Sequence, residues 1–244
     1  MKTRMTETSP FVYARIAGVL YLIITIAAVF AHMYMPDQLI VAGDAAKTAE
    51  NILASESLFK FGGIGAELVI LLSEVMLSIL LYYLLKPVNQ TLSLIAAVSR
   101  LAMTTIHGLN LLNYFFVLQL LKGGDFLSTF EPNQIHALMN LFLDAHSYGF
   151  TIGIAFLVPH VLILGYLIFK SGYFPKLLGV LFLLAGIGYL VDTTGLLFLP
   201  SYQTTPGIIA MVIAIAEIAF PIWLLVKGVN FDRWQSRTLA LETA

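Results

Sequence analysis

Ala66-Glu-Leu-Val-Ile-Leu-Leu-Ser-Glu-Val-Met-Leu-Ser-Ile-Leu-Leu-Tyr-Tyr-Leu-Leu85 turns at Lys86-Pro-Val-Asn-Gln90 into Thr91-Leu-Ser-Leu-Ile-Ala-Ala-Val-Ser-Arg100. A hydrocarbon core about 30 Å thick takes roughly 20 apolar residues per helical crossing. The first run is therefore a membrane span, and the short turn after it returns the chain as an antiparallel neighbour. Two ionisable groups, Glu74 and Arg100, sit inside these apolar helices. Such groups are costly in hydrocarbon unless they pair or face an internal cavity, so they mark either a structural network or a functional interior.

The same length criterion recurs along the chain. Apolar segments near Phe11 to Met35, Gly62 to Leu85, Leu92 to Leu121, Tyr148 to Phe169, Phe174 to Leu199 and Thr205 to Val226 predict six transmembrane helices. Of the 244 residues, 59% are hydrophobic and 11% charged, a balance that a soluble globule could not cover with polar surface. The fold class is an all-α integral membrane bundle, a single domain over 1–244 with its core at about 11–227, plus short extracytoplasmic interfacial helices. The lipid bilayer is the primary partner. A formal net charge of -1 argues against a nucleic-acid partner. The absence of cysteine excludes a disulfide, an iron-sulfur centre and a thiol nucleophile.

Basic residues set the expected orientation, because short cytoplasmic loops collect Lys and Arg. Lys2, Arg4, Arg15, Lys86, Lys170, Lys176, Lys227, Arg233 and Arg237 fall on one side, and only Lys47, Lys60 and Lys122 on the other. Both termini are thus expected in the cytoplasm, with the first apolar run, too long for a signal-peptide core, retained as a helix. Tyr13, Tyr21, Tyr82, Tyr83, Tyr173, Tyr202 and Trp234 read as interfacial anchors. In the first outward loop Asp44 is positioned to cap a helix through Ala54, with Leu39, Ile40, Ile52 and Leu53 lying on the membrane surface. In the second, Pro132 begins a helix expected to fold back over the bundle, with a turn between Asp144 and Gly149 leading into the fourth span.

Helical rise gives a depth map. At 1.5 Å per residue Glu67 lies about 7 Å and Glu74 about 18 Å below the outer end of the second span. Arg100 and His107 share the same seven-residue spacing on the third span, which runs the opposite way. Two polar tiers follow: an inner one of Glu74, Arg100, His160 and Glu217, and an outer one of Glu67, His107, Asn110, Asp144, His146 and Asp192. In the inner tier Arg100 is expected to pair with Glu74, with Glu217 competing. The outer tier holds residue types that bind divalent metals, and zinc held by His107, His146 and Asp192 is the cofactor alternative, although no His-Glu-x-x-His spacing is present. Asp144 and His146 sit about 200° apart on a helix, so both reach one ion only if the helix breaks. Gly149 and Gly153 match the small-xxx-small pattern of close helix contact.

The leading functional reading is binding or transport of a small molecule or lipid through a polar interior cavity. The alternatives are a metal-dependent membrane hydrolase with an outer His/Asp site, and a membrane scaffold or immunity-type protein with a structural ion network.

The blocks Asn51-Ile-Leu-Ala-Ser-Glu-Ser-Leu-Phe59, Leu143-Asp-Ala-His-Ser-Tyr-Gly-Phe150 and Gly165-Tyr-Leu-Ile-Phe-Lys-Ser-Gly-Tyr173 resemble an uncharacterised bacterial family of integral membrane proteins, a domain of unknown function. The resemblance runs from Tyr13 to Lys227. It implies six helices and a bacterial inner membrane, and it carries no catalytic assignment.

Overall fold

The computed structural model describes residues 9–202 and 204–242. Lys2 and Arg4, counted in the basic bias, lie outside them. Among the described residues the chain is all helical, and six helices are long and apolar enough to span a membrane: α1 (Pro10–Leu39), α3 (Leu58–Leu85), α4 (Gln90–Lys122), α5 (Pro132–Ser171), α6 (Lys176–Phe198) and α7 (Gly207–Val226). Two shorter helices flank this set, α2 (Ala45–Ala54) and α8 (Phe231–Glu242).

Each spanning helix packs against the next in sequence, and α7 closes on α1, so six antiparallel helices form a ring. Side chains bonded to backbone lock its members together. Ser78 Oγ donates to Ala97 O at 2.9 Å and Ser93 Oγ to Tyr82 O at 3.1 Å, joining α3 to α4. Between α5 and α6 the backbones nearly touch: a Cβ on Gly165 would stand 2.9 Å from Gly179 O, which is why small residues are needed there.

The end where α1 begins and α7 finishes is sealed by α8, which follows the last predicted span. Its Trp234 Nε1 and the Tyr173 hydroxyl both donate to Leu84 O, at 3.1 and 2.7 Å, supplying a carbonyl that the end of α3 leaves without a helical partner. Lys86, Lys170, Lys176, Lys227, Arg233 and Arg237 gather at this end, and Lys47, Lys60 and Lys122 at the opposite, loop end.

The loop end has its own hydrophobic cluster, built from Met35, Leu39, Ile52, Phe59, Tyr114, Val117 and Met139. Asp44 caps α2 as expected, accepting from Lys47 N at 2.8 Å. Leu39 and Ile52, read as membrane-surface residues, instead turn into this cluster. The expected break before the fourth span is absent. The helix begins at Pro132 behind a Glu131–Gln134 capping box and runs 40 residues without interruption, about 60 Å at standard rise. That length exceeds a hydrocarbon core of about 30 Å, and the first turns bury Met139 and Leu143 against α1, α2 and α4. Tertiary packing supplies the cover that a fold-back would otherwise have given those apolar positions.

Two local irregularities shape the interior. Residues Phe30–Tyr34 of α1 and Leu58–Gly65 of α3 are wide π turns that pack against one another. In α4 the ladder shifts at Leu111, where Tyr114 N bonds Leu111 O at 3.1 Å instead of reaching Asn110 O. Asn113 Nδ2 donates to that carbonyl at 3.0 Å, so Asn110 O keeps a partner where the ladder shifts.

Candidate functional site

Arg100 is the centre of the inner tier and is 4% exposed. Its Nε and Nη2 grip Glu74 bidentately, the Nη2 to Oε1 bond being 2.9 Å, and its Nη1 donates to the Tyr21 hydroxyl at 3.1 Å and to His160 Nε2 at 3.0 Å. His160 Nδ1 faces Ala96 O at 2.9 Å. A carbonyl only accepts and a guanidinium only donates, so these two contacts require the neutral Nδ1–H tautomer of His160. Four of the five Arg100 N–H groups are accounted for. The charge lies 5.0 Å from the Tyr21 ring centroid, and Phe220 meets that ring edge-on.

The sequence places Tyr21 among the interfacial anchors. The structure buries it at 1% exposure in this cluster. Its signal was depth, since it lies well inside the first apolar run, level with Arg100. Glu74 forms the ion pair with Arg100, and among the described residues Glu217, expected to compete for it, makes none. Free space here is slight, about 10 Å³ beside Ser78, Ala96 and His160.

The outer tier is assembled differently. His107 Nε2 lies 3.0 Å from Phe150 O, and its ring stacks on that residue's ring at 4.9 Å. Asn110 Nδ2 donates to His146 O at 2.9 Å. The Gly149 and Gly153 pair explains both contacts. A Cβ on Gly149 would collide with Asn110 Oδ1, and one on Gly153 with His107 Nε2. The spacing read as a helix-contact motif in fact seats two polar side chains of α4 against α5.

His146 stacks on Tyr114 at 3.8 Å. Glu67, 4% exposed, meets His32 Nδ1 at 3.5 Å. His32 escaped the sequence reading because it lies at the end of the first apolar run beside Pro36, where the depth map was not extended. Between these groups lies a pocket of about 200 Å³, lined by Ala31, His32, Ile40, Tyr114, Leu143, His146, Ser147 and Phe150.

Two residues assigned to this tier belong elsewhere. Asp144 is exposed and is approached by Asn140 Nδ2 at 3.4 Å, because unbroken α5 turns it away from His146. Asp192 accepts from the Tyr202 hydroxyl at 2.8 Å and Thr205 Oγ1 at 3.0 Å, held by the loop that folds back over the end of α6. His107, His146 and Asp192 therefore do not converge, and among the described residues no three His, Asp or Glu side chains form a metal-binding group.

Six antiparallel spans with charged and hydrogen-bonded residues inside define a polytopic integral membrane protein. The chain belongs to the family described as a domain of unknown function (DUF4386), which matches residues 16–228. An uncharacterized protein of Archaeoglobus fulgidus is similar, 31% identical over 165 residues that make up 68% of this chain and 82% of the relative. No solved structure matches.

Proposed function

We propose that the protein binds a small molecule in the loop-end pocket, with the Arg100 cluster as a fixed floor beneath it. The observation that carries this reading is the pocket of about 200 Å³ between His32, Tyr114, His146, Ser147 and Phe150. Aromatic walls with a few placed polar groups are the usual make-up of small-ligand sites. Among the described residues the His146 ring nitrogens have no hydrogen-bond partner, leaving them for a ligand or water. Binding is favoured over passage across the bilayer, because a path would have to part Arg100 from Glu74, Tyr21 and His160. A zinc hydrolase needs three protein ligands and an open position. It has His107 and His146 here, while Asp192 is engaged elsewhere. The basic bias supports placing both termini in the cytoplasm of a bacterial cell. External labelling of a cysteine at Asn89 in intact cells would overturn that orientation.

The chain has no cysteine, so S147C offers a single thiol at the pocket. Its modification by 2-aminoethyl methanethiosulfonate is expected, as is the loss in S147W of any small-molecule mass that accompanies the wild type in native mass spectrometry. An unreactive S147C, or identical bound masses in wild type and a folded S147W, rejects the reading.

A further inference from the structure

A second site lies at the opposite end of the molecule, where α8 crosses the ends of the spans. A groove of about 260 Å³ is lined by Val88, Asn89, Tyr166, Lys170 and Arg237. These residues come from three separate places: the α3–α4 turn, the last turns of α5, and α8. We propose that this groove binds the phosphate of an anionic phospholipid.

The lining offers hydrogen-bond donors and cations, and among the described residues no carboxylate lines it. Arg237 is held in place by its Nη2, which donates to Lys170 O at 2.9 Å. That bond fixes the guanidinium at the wall of the groove with one N–H group, an arrangement suited to phosphate, which a planar guanidinium binds through paired N–H bonds. Lys170 brings the second charge. The Asn89 carbonyl oxygen already accepts from Leu92 N at 2.9 Å as the cap of α4, so its amide NH₂ remains to donate. Tyr166, 44% exposed and one helical turn before Lys170, stands on the same face of α5.

That face is the argument for a lipid over free phosphate. Tyr166 lies on the outer surface of a membrane span near its end, where aromatic side chains meet headgroups, and Lys170 follows at headgroup level. A lipid seated there would lay its phosphate between Lys170 and Arg237 and its acyl chains down the apolar exterior of α5. Basic pockets between spanning helices are a recurrent way to hold anionic headgroups. Because Arg237 also ties α8 to α5, a bound lipid would brace the helix that seals this end.

The test uses the full chain in detergent, with 1-palmitoyl-2-oleoyl-phosphatidylglycerol and the matching phosphatidylcholine as probes, read by native mass spectrometry and thermal shift. Phosphatidylglycerol should bind and raise the melting temperature more than phosphatidylcholine. K170Q should weaken its binding about five-fold, the loss of one cation near an anionic headgroup. N89D keeps a good helix cap while placing a negative charge in the groove, and should weaken binding about ten-fold or more. K227Q, a charge loss at the same end but outside the groove, should leave binding unchanged. R237Q would also loosen α8, so K170Q and N89D carry the test. Equal binding of the two lipids would overturn the site, and so would equal losses in K227Q and K170Q. If soluble sn-glycerol 1-phosphate produces the same shift at the same concentration, the groove takes free phosphate and the lipid assignment fails.

Discussion

The two polar tiers of the bundle differ in how completely their groups are paired. Around Arg100 four of the five guanidinium N–H groups have a partner and the free space is about 10 Å³. Around His146 the groups are stacked more than bonded, and a pocket twenty-fold larger, about 200 Å³, opens beside them. A saturated buried network resists change, since moving any member strands another without water to replace it. A tier with aromatic stacking and unengaged ring nitrogens can exchange its partners. The difference supports the proposed reading, with the Arg100 cluster as the rigid part and the loop end as the place where a ligand exchanges.

The hardest way to break this contrast is R100L. It strands the Glu74 carboxylate among apolar side chains, and unfolding in detergent should show a loss of about 3 to 5 kcal/mol. The double variant E74L/R100L should recover most of that, because replacing both members of a buried pair is far less damaging than removing one. A single variant as stable as the wild type would mean that the pair carries no structural role.

G153V attacks the outer tier from the α5 side. Its side chain would displace His107 from Phe150 O, at about 1 to 3 kcal/mol by overpacking, and S147C should react faster in this background as the pocket loosens. H146A should lose the Tyr114 stack, worth about 0.5 to 1.5 kcal/mol, while H146F keeps the ring and most of the stability. If H146F were as damaging as H146A, the nitrogens of His146 would be structural and the contrast between tiers would narrow.

The smallest effect belongs to the loop-end surface. Glu56 is held below the usual carboxylate range by its hydrogen bond to Lys122, at 2.7 Å, and by a second to Lys60. A carboxyl lowered in this way contributes stability above its unfolded pKa and loses it as pH falls through the folded value. The wild type should therefore be slightly more stable than E56Q at neutral pH, and the difference should shrink to nothing in thermal melts as pH falls through the folded pKa of Glu56. The exposed setting keeps the difference small.

Parts of both tiers were legible in the sequence, and the limits of that reading have a common cause. Glu74 and Arg100 were matched because depth along a helix follows from counting residues from a turn. The tight turn at Lys86 to Gln90 fixed the count on both sides. Asp192 was matched to His107 by the same arithmetic and went astray, because the loop carrying Tyr202 and Thr205 folds back onto it. Asp144 was misplaced by a turn that does not exist, since α5 continues unbroken through it. Tyr21 and His32 both lie within the first apolar run, Phe11 to Met35, where the same count sets their depth, but their partners depend on helix rotation.

The sequence by itself determined six spans, their alternating directions, the matching level of Glu74 and Arg100 and the division of basic residues between the two ends. These follow from local quantities, the length of apolar runs and the rise of about 1.5 Å per residue. Only the tertiary structure decided the closure of α7 on α1, the gathering of Tyr21 and His160 on Arg100, and the meeting of His32 with Glu67. Those depend on how each helix is rotated about its axis. In a bilayer the lipid-facing and packed faces are both apolar, so hydrophobic periodicity, which fixes rotation in a soluble helix, says little here. Rotation is set instead by close packing, by where glycines such as Gly149 and Gly153 let a neighbouring side chain in, and by which polar groups find one another once the ring has closed.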